Sequence, residues 1–300
     1  MATNTTLAQY AMKNPPSFDT MVYSKLATVS PLLSVMNFKT ISGSSYKYLQ
    51  EATLPTTQFR ALNASVTASN GTNAQIEVNL AHAAGLATLD DFFDPSVQND
   101  QIDKAIRAMG LNVNEAFFTG DKDSNNEFDG MAEFVTDGYA TEVETATNGA
   151  ALSLGVLDEA VLECRGDNRA IFVNDTIYLR MQTAARSASV GGALQYMPDQ
   201  LGLWSTFYNG IHVYRAGKVA AGTQVLPFGE TQGSSDVCTS AYIVSLDSGL
   251  AGLQKASMNM KKVETAFGST ISFGWDVAAA VLDKEGVVKL SGITDAAITA

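Results

Sequence analysis

The 300 residues are enough for one large domain or two moderate ones, and 46% apolar side chains supply a substantial core. Charged residues make up only 17%, below the roughly 25% usual for soluble domains, which leaves much of the surface neutral and suited to burial against other chains. The excess of 31 acidic over 19 basic side chains, a net charge of -12, argues against a protein that grips phosphate backbones over a broad face.

Residues 1–30 are rich in Thr, Asn, Ser and Ala, include Pro15 and Pro16, and show no sustained period. They predict an extended arm that takes its order from lying across something else. No secretion signal is expected at the start, and the longest apolar runs, such as residues 277–282, fall far short of the roughly 20 residues that cross a bilayer. Two polar-rich strands follow, at 46–54 and 75–82, separated by a Ser/Asn/Gly/Thr stretch around Asn70-Gly71. In the second, Ile76, Val78 and Leu80 alternate with Glu77, Asn79 and Ala81, the period of a half-buried strand. Two strands this polar are marginal alone, so the hairpin is expected to project and to find partners on a neighbouring subunit.

Asp94 before Pro95 marks a helix start, after which Ile102, Ile106, Met109, Val113 and Phe117 recur at helical spacing. The helix should run about 36 Å at 1.5 Å per residue. Gly110 inside it costs about 1 kcal/mol relative to Ala. The middle third alternates, with a helix at 153–164 stopped by Gly166, a strand at 169–173, a helix from Asn174, a Gly-rich loop at 190–193 and strands at 210–214 and 241–246. That order predicts a compact α/β unit. Strands at 258–267, 270–282 and 287–290, the last two joined by Asp283-Lys284-Glu285-Gly286, are expected to close a sheet beside the long helix.

Catalytic and ligand chemistry is sparse. Asp121, Asp123 and Asn125 have the alternating spacing that hard cations favour, but Asn126 stands where the tight turn needs Gly and Ala132 where a bidentate Glu is needed. A solvated turn is the better reading, and no metal site is expected. His82 and His212 offer no paired-imidazole spacing, and Cys164 and Cys238 no CxxC. No GxSxG elbow marks a nucleophile. Ser44-Ser45-Tyr46-Lys47 matches S-x-x-K by letters only, and Lys218 after Gly217 is followed by Val219 where a phosphate loop needs Ser or Thr. No catalytic or cofactor-binding residue is expected.

The order of arm, projecting hairpin, long helix, α/β unit and closing strands resembles that of the major capsid proteins of tailed bacteriophages, which share the Hong Kong 97-type fold. Locally, Phe117-Phe118-Thr119-Gly120-Asp121 leading to Phe128-Asp129-Gly130-Met131 resembles that family's passage out of its spine helix. Tyr208-Asn209-Gly210-Ile211-His212-Val213 resembles its later Gly-centred strand, and residues 287–294 its ending.

The resemblance implies an α+β fold in five pieces: an N-terminal arm at 1–35; an E-loop hairpin and its base at 36–88; a peripheral domain with the spine helix at 89–130; an axial domain at 131–254; and peripheral closing strands at 255–300. It implies a non-enzymatic protein without cofactors that assembles with itself into pentamers and hexamers through arm and E-loop. The resulting icosahedral head would enclose double-stranded DNA without reading its sequence. Portal, scaffold or decoration proteins are further partners it implies, with no membrane. The virion is the implied location and the host bacterial cytoplasm the place of assembly. No long helical extension precedes the arm, which implies a separate scaffold or none. Some relatives crosslink an E-loop lysine, for which Lys47 is the counterpart, although nothing identifies its partners. Two other readings stand beside this one: an encapsulin-like bacterial compartment and, from another class, a soluble α/β hydrolase with a spatially assembled triad.

Overall fold

The computed structural model describes residues 5–6, 30–92, 94–186, 192–198, 204–256 and 258–299. In chain order the first elements are β1 (Thr5–Thr6), α1 (Pro31–Val35), β2 (Asn37–Thr40), β3 (Ser45–Thr53), β4 (Thr72–Asn79) and β5 (Ala81–Asp90). Next come α2 (Pro95–Thr119), α3 (Lys122–Asn125), α4 (Met131–Thr136), β6 (Thr141–Glu144), α5 (Leu154–Glu163), β7 (Arg169–Val173) and α6 (Asp175–Ala184). The remainder is strand-rich: β8 (Leu194–Pro198), β9 (Trp204–Tyr208), β10 (Ile211–Arg215), β11 (Glu230–Gln232), β12 (Ser235–Ser245), β13 (Leu250–Gln254), β14 (Asn259–Thr265), β15 (Gly268–Val281) and β16 (Val287–Ile293).

Alternation along the central strands decides how these stack. On β7, Ala170 and Phe172 face one core while Ile171 and Val173 face another, and on β12 Tyr242 and Val244 oppose Ala241 and Ile243 in the same way. The sheet holding them, ordered β6-β16-β12-β7-β10-β9-β8, is therefore covered on both faces. One face packs on α5 and α6 through Leu157, Ala160, Ile177 and Met181. The other meets the end of α2, where Phe118 lies edge-on to Phe172 and to Tyr242, each at 5.8 Å. Complete burial of side chains such as these contributes about 1.5–3 kcal/mol each.

The second sheet runs β1-β2-β13-β15-β14, with β5 on the free side of β15. Strand β15 organises it. Its residues 268–274 pair with β14 and 277–281 with β13, end to end on one edge, while β5 pairs along 268–277 on the other. Trp275, Phe273 and Ile271 point from it into the core shared with α2.

The long helix forms for the reasons its sequence gives. The Asp94 carboxylate accepts from the Ser96 N–H at 2.9 Å, Pro95 opens the first turn, and Gly120 N–H closes the last on Ala116 O at 3.0 Å. Ile106, Met109, Val113, Ala116 and Phe117 are buried along one stripe. Within that stripe sits a polar residue, Asn114, 1% exposed. Its amide donates to Ala216 O at 2.9 Å, and its carbonyl accepts from Ser30 Oγ. Ser30 also caps α1, accepting from Leu33 N at 3.2 Å, so one side chain ties the helix both to the start of α1 and to the end of β10 in the first sheet.

The structure adjusts several expectations. Residues 31–35 form a helix with Leu32 and Leu33 fully buried, so they belong to the body; most of the arm expected before them lies outside the described residues. Thr5 and Thr6 pair with Phe38 and Asn37 of the same chain. The second hairpin strand ends at Asn79, and residues 81–90 form a separate strand in the β15 sheet, so His82 lies outside the hairpin. The turn at 283–286 joins two different sheets: β16 pairs with β12 and β6, not with β15, and Val288, Leu290 and Ile293 on it face the core under α5 and α6. At this crossing Gly286 lies against Gly249, where the chain passes from β12 to β13. A Cβ on Gly286 would lie 2.2 Å from the Gly249 Cα, so neither position has room for a side chain. The loop expected at 190–193 lies partly outside the described residues.

Candidate assembly surfaces

The hairpin β3–β4 is two different objects along its length. Its root is locked to the body: Ile76 and Val78 are buried, Tyr46 and Tyr48 pack half-buried against the core, and Gln50, the one buried residue of β3, donates to Tyr139 O at 3.2 Å and Val281 O at 3.3 Å. Tyr46 and Tyr48 stack at 5.8 Å, and the Lys39 ammonium lies 4.3 Å from the Tyr46 ring centroid. Lys47 is held in an exposed ion pair with Glu77 at 3.0 Å.

Beyond Gln50 the chain leaves the body, and every residue from 51 to 73 is exposed. The loop at 54–71 is shaped by local polar bonds, Thr56 N–H to Ser69 Oγ at 3.1 Å and Arg60 to Ala64 O at 2.9 Å. Yet it carries Leu54 at 77% exposure, Phe59 fully open, Leu62 at 94% and Val66 at 51%. Four large apolar side chains on one loop without packing are what an interaction site looks like and a solvated turn does not. Sequence reading missed them because the loop has no period, leaving only its Asn/Ser/Gly/Thr signal.

At the far end of α2 the sequence motif has a steric cause. Gly130 N–H donates to Gly120 O at 2.9 Å. A Cβ on Gly120 would lie 2.5 Å from both Ala116 O and Phe128 O, and one on Gly130 2.5 Å from Ala116 O. The enclosed loop lets Phe128 pack on Phe117 at 4.9 Å. Asp121 spends its carboxylate capping α3, on Asp123 N at 2.8 Å and Ser124 Oγ at 2.5 Å, and these bonds hold its pKa below the ordinary value. Asp123 and Asn125 stand exposed beside it, and among the described residues no His/Cys/Asp/Glu cluster could hold a metal ion. Lys122 pairs with Asp129 at 2.8 Å across the loop.

A cleft of about 280 Å³ between β5, α2 and this loop is lined by His82, Met109, Asn112, Asn126 and Glu127. His82 Nδ1 lies 2.5 Å from Asp276 Oδ1, its cross-strand neighbour, on an open sheet face. His212 stacks on Tyr214 at 3.9 Å and meets Phe207 edge-on. The central sheet is mixed, with only its β7–β10 and β6–β16 pairs parallel. That is not the parallel sheet on which an α/β hydrolase sets its nucleophile elbow, and the hydrolase reading is withdrawn. Among the described residues no helix is long and apolar enough to cross a membrane.

This arrangement of jointed hairpin, long helix and two-sheet body is the Hong Kong 97-type fold of shell-forming capsid proteins. The chain superimposes on the capsid of the native GTA particle computed with C5 symmetry at TM-score 0.59, with 13% identity over 88% of this chain and 90% of that one. A structure from Mycobacterium phage Bobi matches at TM-score 0.58 and 14% identity, over 87% and 89% of the two chains. The holo-SrpI encapsulin complex from Synechococcus elongatus matches at 0.63 and 12%, over 91% of each. The sequence itself matches no known family and no curated protein.

Proposed function

We propose that this chain is the major subunit of a tailed-phage head, assembling through pentamers and hexamers into an icosahedral shell around double-stranded DNA. The observation that carries self-assembly is the distal half of the hairpin. Its exposed Leu54, Phe59, Leu62 and Val66 each hold about 1.5–3 kcal/mol of burial that the lone subunit does not use and a neighbouring copy would. Head-to-tail contacts of this kind close into rings when the rotation permits. The net charge of -12 suits a wall that holds packed DNA without gripping its phosphates. Portal, scaffold and decoration proteins are the further partners such a head uses, and the host cytoplasm is where it would be built.

An encapsulin-like compartment is the second reading, favoured by the encapsulin match, whose TM-score of 0.63 is no lower than those of the phage capsids. Electron microscopy of particles from the native source separates the two. Shells filled with double-stranded DNA support the phage head, shells filled with a protein cargo support the compartment, and a chain that forms no closed shell in its native source overturns both.

A further inference from the structure

Asn-Gly pairs occur at three positions, Asn70-Gly71, Asn148-Gly149 and Asn209-Gly210. They are chemically alike and held very differently. The Asn148 carbonyl accepts from Ser234 N and Oγ, both at 3.0 Å, and Gly149 N–H donates to Ala146 O at 3.0 Å. Asn209 is fixed in the tight β9–β10 turn with φ 46°, its amide donating to Asp158 Oδ1 at 3.2 Å. Asn70 and Gly71 are both exposed, at the end of the unpacked hairpin loop, and neither the Asn70 side chain nor the Gly71 N–H has a hydrogen-bond partner among the described residues.

We propose that Asn70 is a site of spontaneous deamidation in the free subunit. The Gly71 nitrogen attacks Asn70 Cγ, forming an N–Cγ bond and a five-membered succinimide. The Gly71 proton passes to the departing amide, which leaves as ammonia. Water then opens either imide carbonyl, giving aspartate or a β-linked isoaspartate at position 70, with no oxidant or reductant needed. Gly71 puts no side chain in the path of attack, at a point where a Cβ would lie 2.7 Å from Thr53 O. At the other two pairs the side-chain amide is pinned by hydrogen bonds, so reaching a near-attack arrangement requires local opening first.

The product matters where it falls. Arg60 is the only charged side chain from 54 to 71, so conversion cancels the loop's charge and places a carboxylate among apolar groups whose burial it opposes. This consequence rests on the shell reading: a subunit that waits unassembled becomes a poorer assembly partner, and one whose loop is already packed is protected.

Peptide mapping by mass spectrometry of the purified full chain, held unassembled in neutral to mildly alkaline buffer, tests the site. Acid and isoaspartate products at Asn70 should accumulate about tenfold faster than at Asn148 or Asn209, a barrier difference of about 1.4 kcal/mol. Asn70→Gln, which would need a six-membered ring, should abolish the products there without affecting the fold. Equal rates at the three pairs, or an unchanged Asn70, would overturn the proposal. Mapping assembled particles in parallel should show Asn70 protected. A chain that converts at Asn70 but never forms particles would leave the deamidation standing and refute the shell.

Discussion

Asn114 shows how a single residue joins distant parts of the chain. Its amide and carbonyl are both used, on Ala216 O and Ser30 Oγ, in a setting 1% exposed. Asn114→Ala would strand both partners without water, and buried groups left unpaired cost about 1–3 kcal/mol each. The expected outcome is a loss of about 2–4 kcal/mol in urea unfolding of the subunit, with the helical circular dichroism of the folded state retained. Glu127, on the loop after the long helix, gives the opposite sign. Partial desolvation raises its carboxyl pKa, and the negative charge of Asp121 adds to that, against a backbone hydrogen bond that lowers it. A raised carboxyl binds its proton more tightly folded than unfolded, so this group's contribution to stability falls as pH rises from the ordinary carboxylate range through the raised value. Glu127→Gln should therefore be more stable than the parent at neutral pH, with the advantage vanishing in acid. Melting temperatures of the two proteins across that range check it, and an advantage that grows on acidification would contradict it.

At the scale of elements, what the sequence showed and hid follows from how local each element's cause is. The long helix was legible because its cap, proline and apolar stripe all lie within the segment itself. The Ser153 and Asn174 caps made α5 and α6 legible for the same reason. Strand β5 was not: its Ala, Gly and His residues have little strand preference, and its state is set by ten pairings with β15, nearly two hundred positions away in the sequence. The placement of β16 was hidden likewise, since a short turn suggests a hairpin while the actual partner, β12, lies across the other sheet. The hairpin was legible as a projecting ribbon, but its division at Gln50 depends on two carbonyls supplied by α4's exit and β15. That division makes a sharp prediction. Replacing Leu54, Phe59 and Leu62 together by Ser should change subunit stability by no more than about 0.5 kcal/mol, as for surface positions generally. Particle yield by sucrose-gradient sedimentation should fall at least about tenfold, the loss expected from about 1.4 kcal/mol per subunit contact. Normal particles from that variant would show that the apolar loop is not the assembly contact.

For the whole molecule, in the proposed shell, a surface poor in charge and an outlying apolar loop would place part of the stability in the assembly, since whatever binds only the folded subunit stabilises it by mass action. Assembled material should therefore melt at a higher temperature than isolated subunits, and dilution or dissociation should lower it. Calorimetry on the two gradient fractions measures the difference, and identical transitions would mean that neighbours add nothing.

The contact of Gly249 with Gly286 has a mechanical consequence. The chain passes between the two sheets at both of these residues, side by side, with backbone against backbone. In the proposed shell, load carried along β15 would reach the other sheet partly through this double crossing, where a side chain on either glycine would have to push the two peptide segments apart.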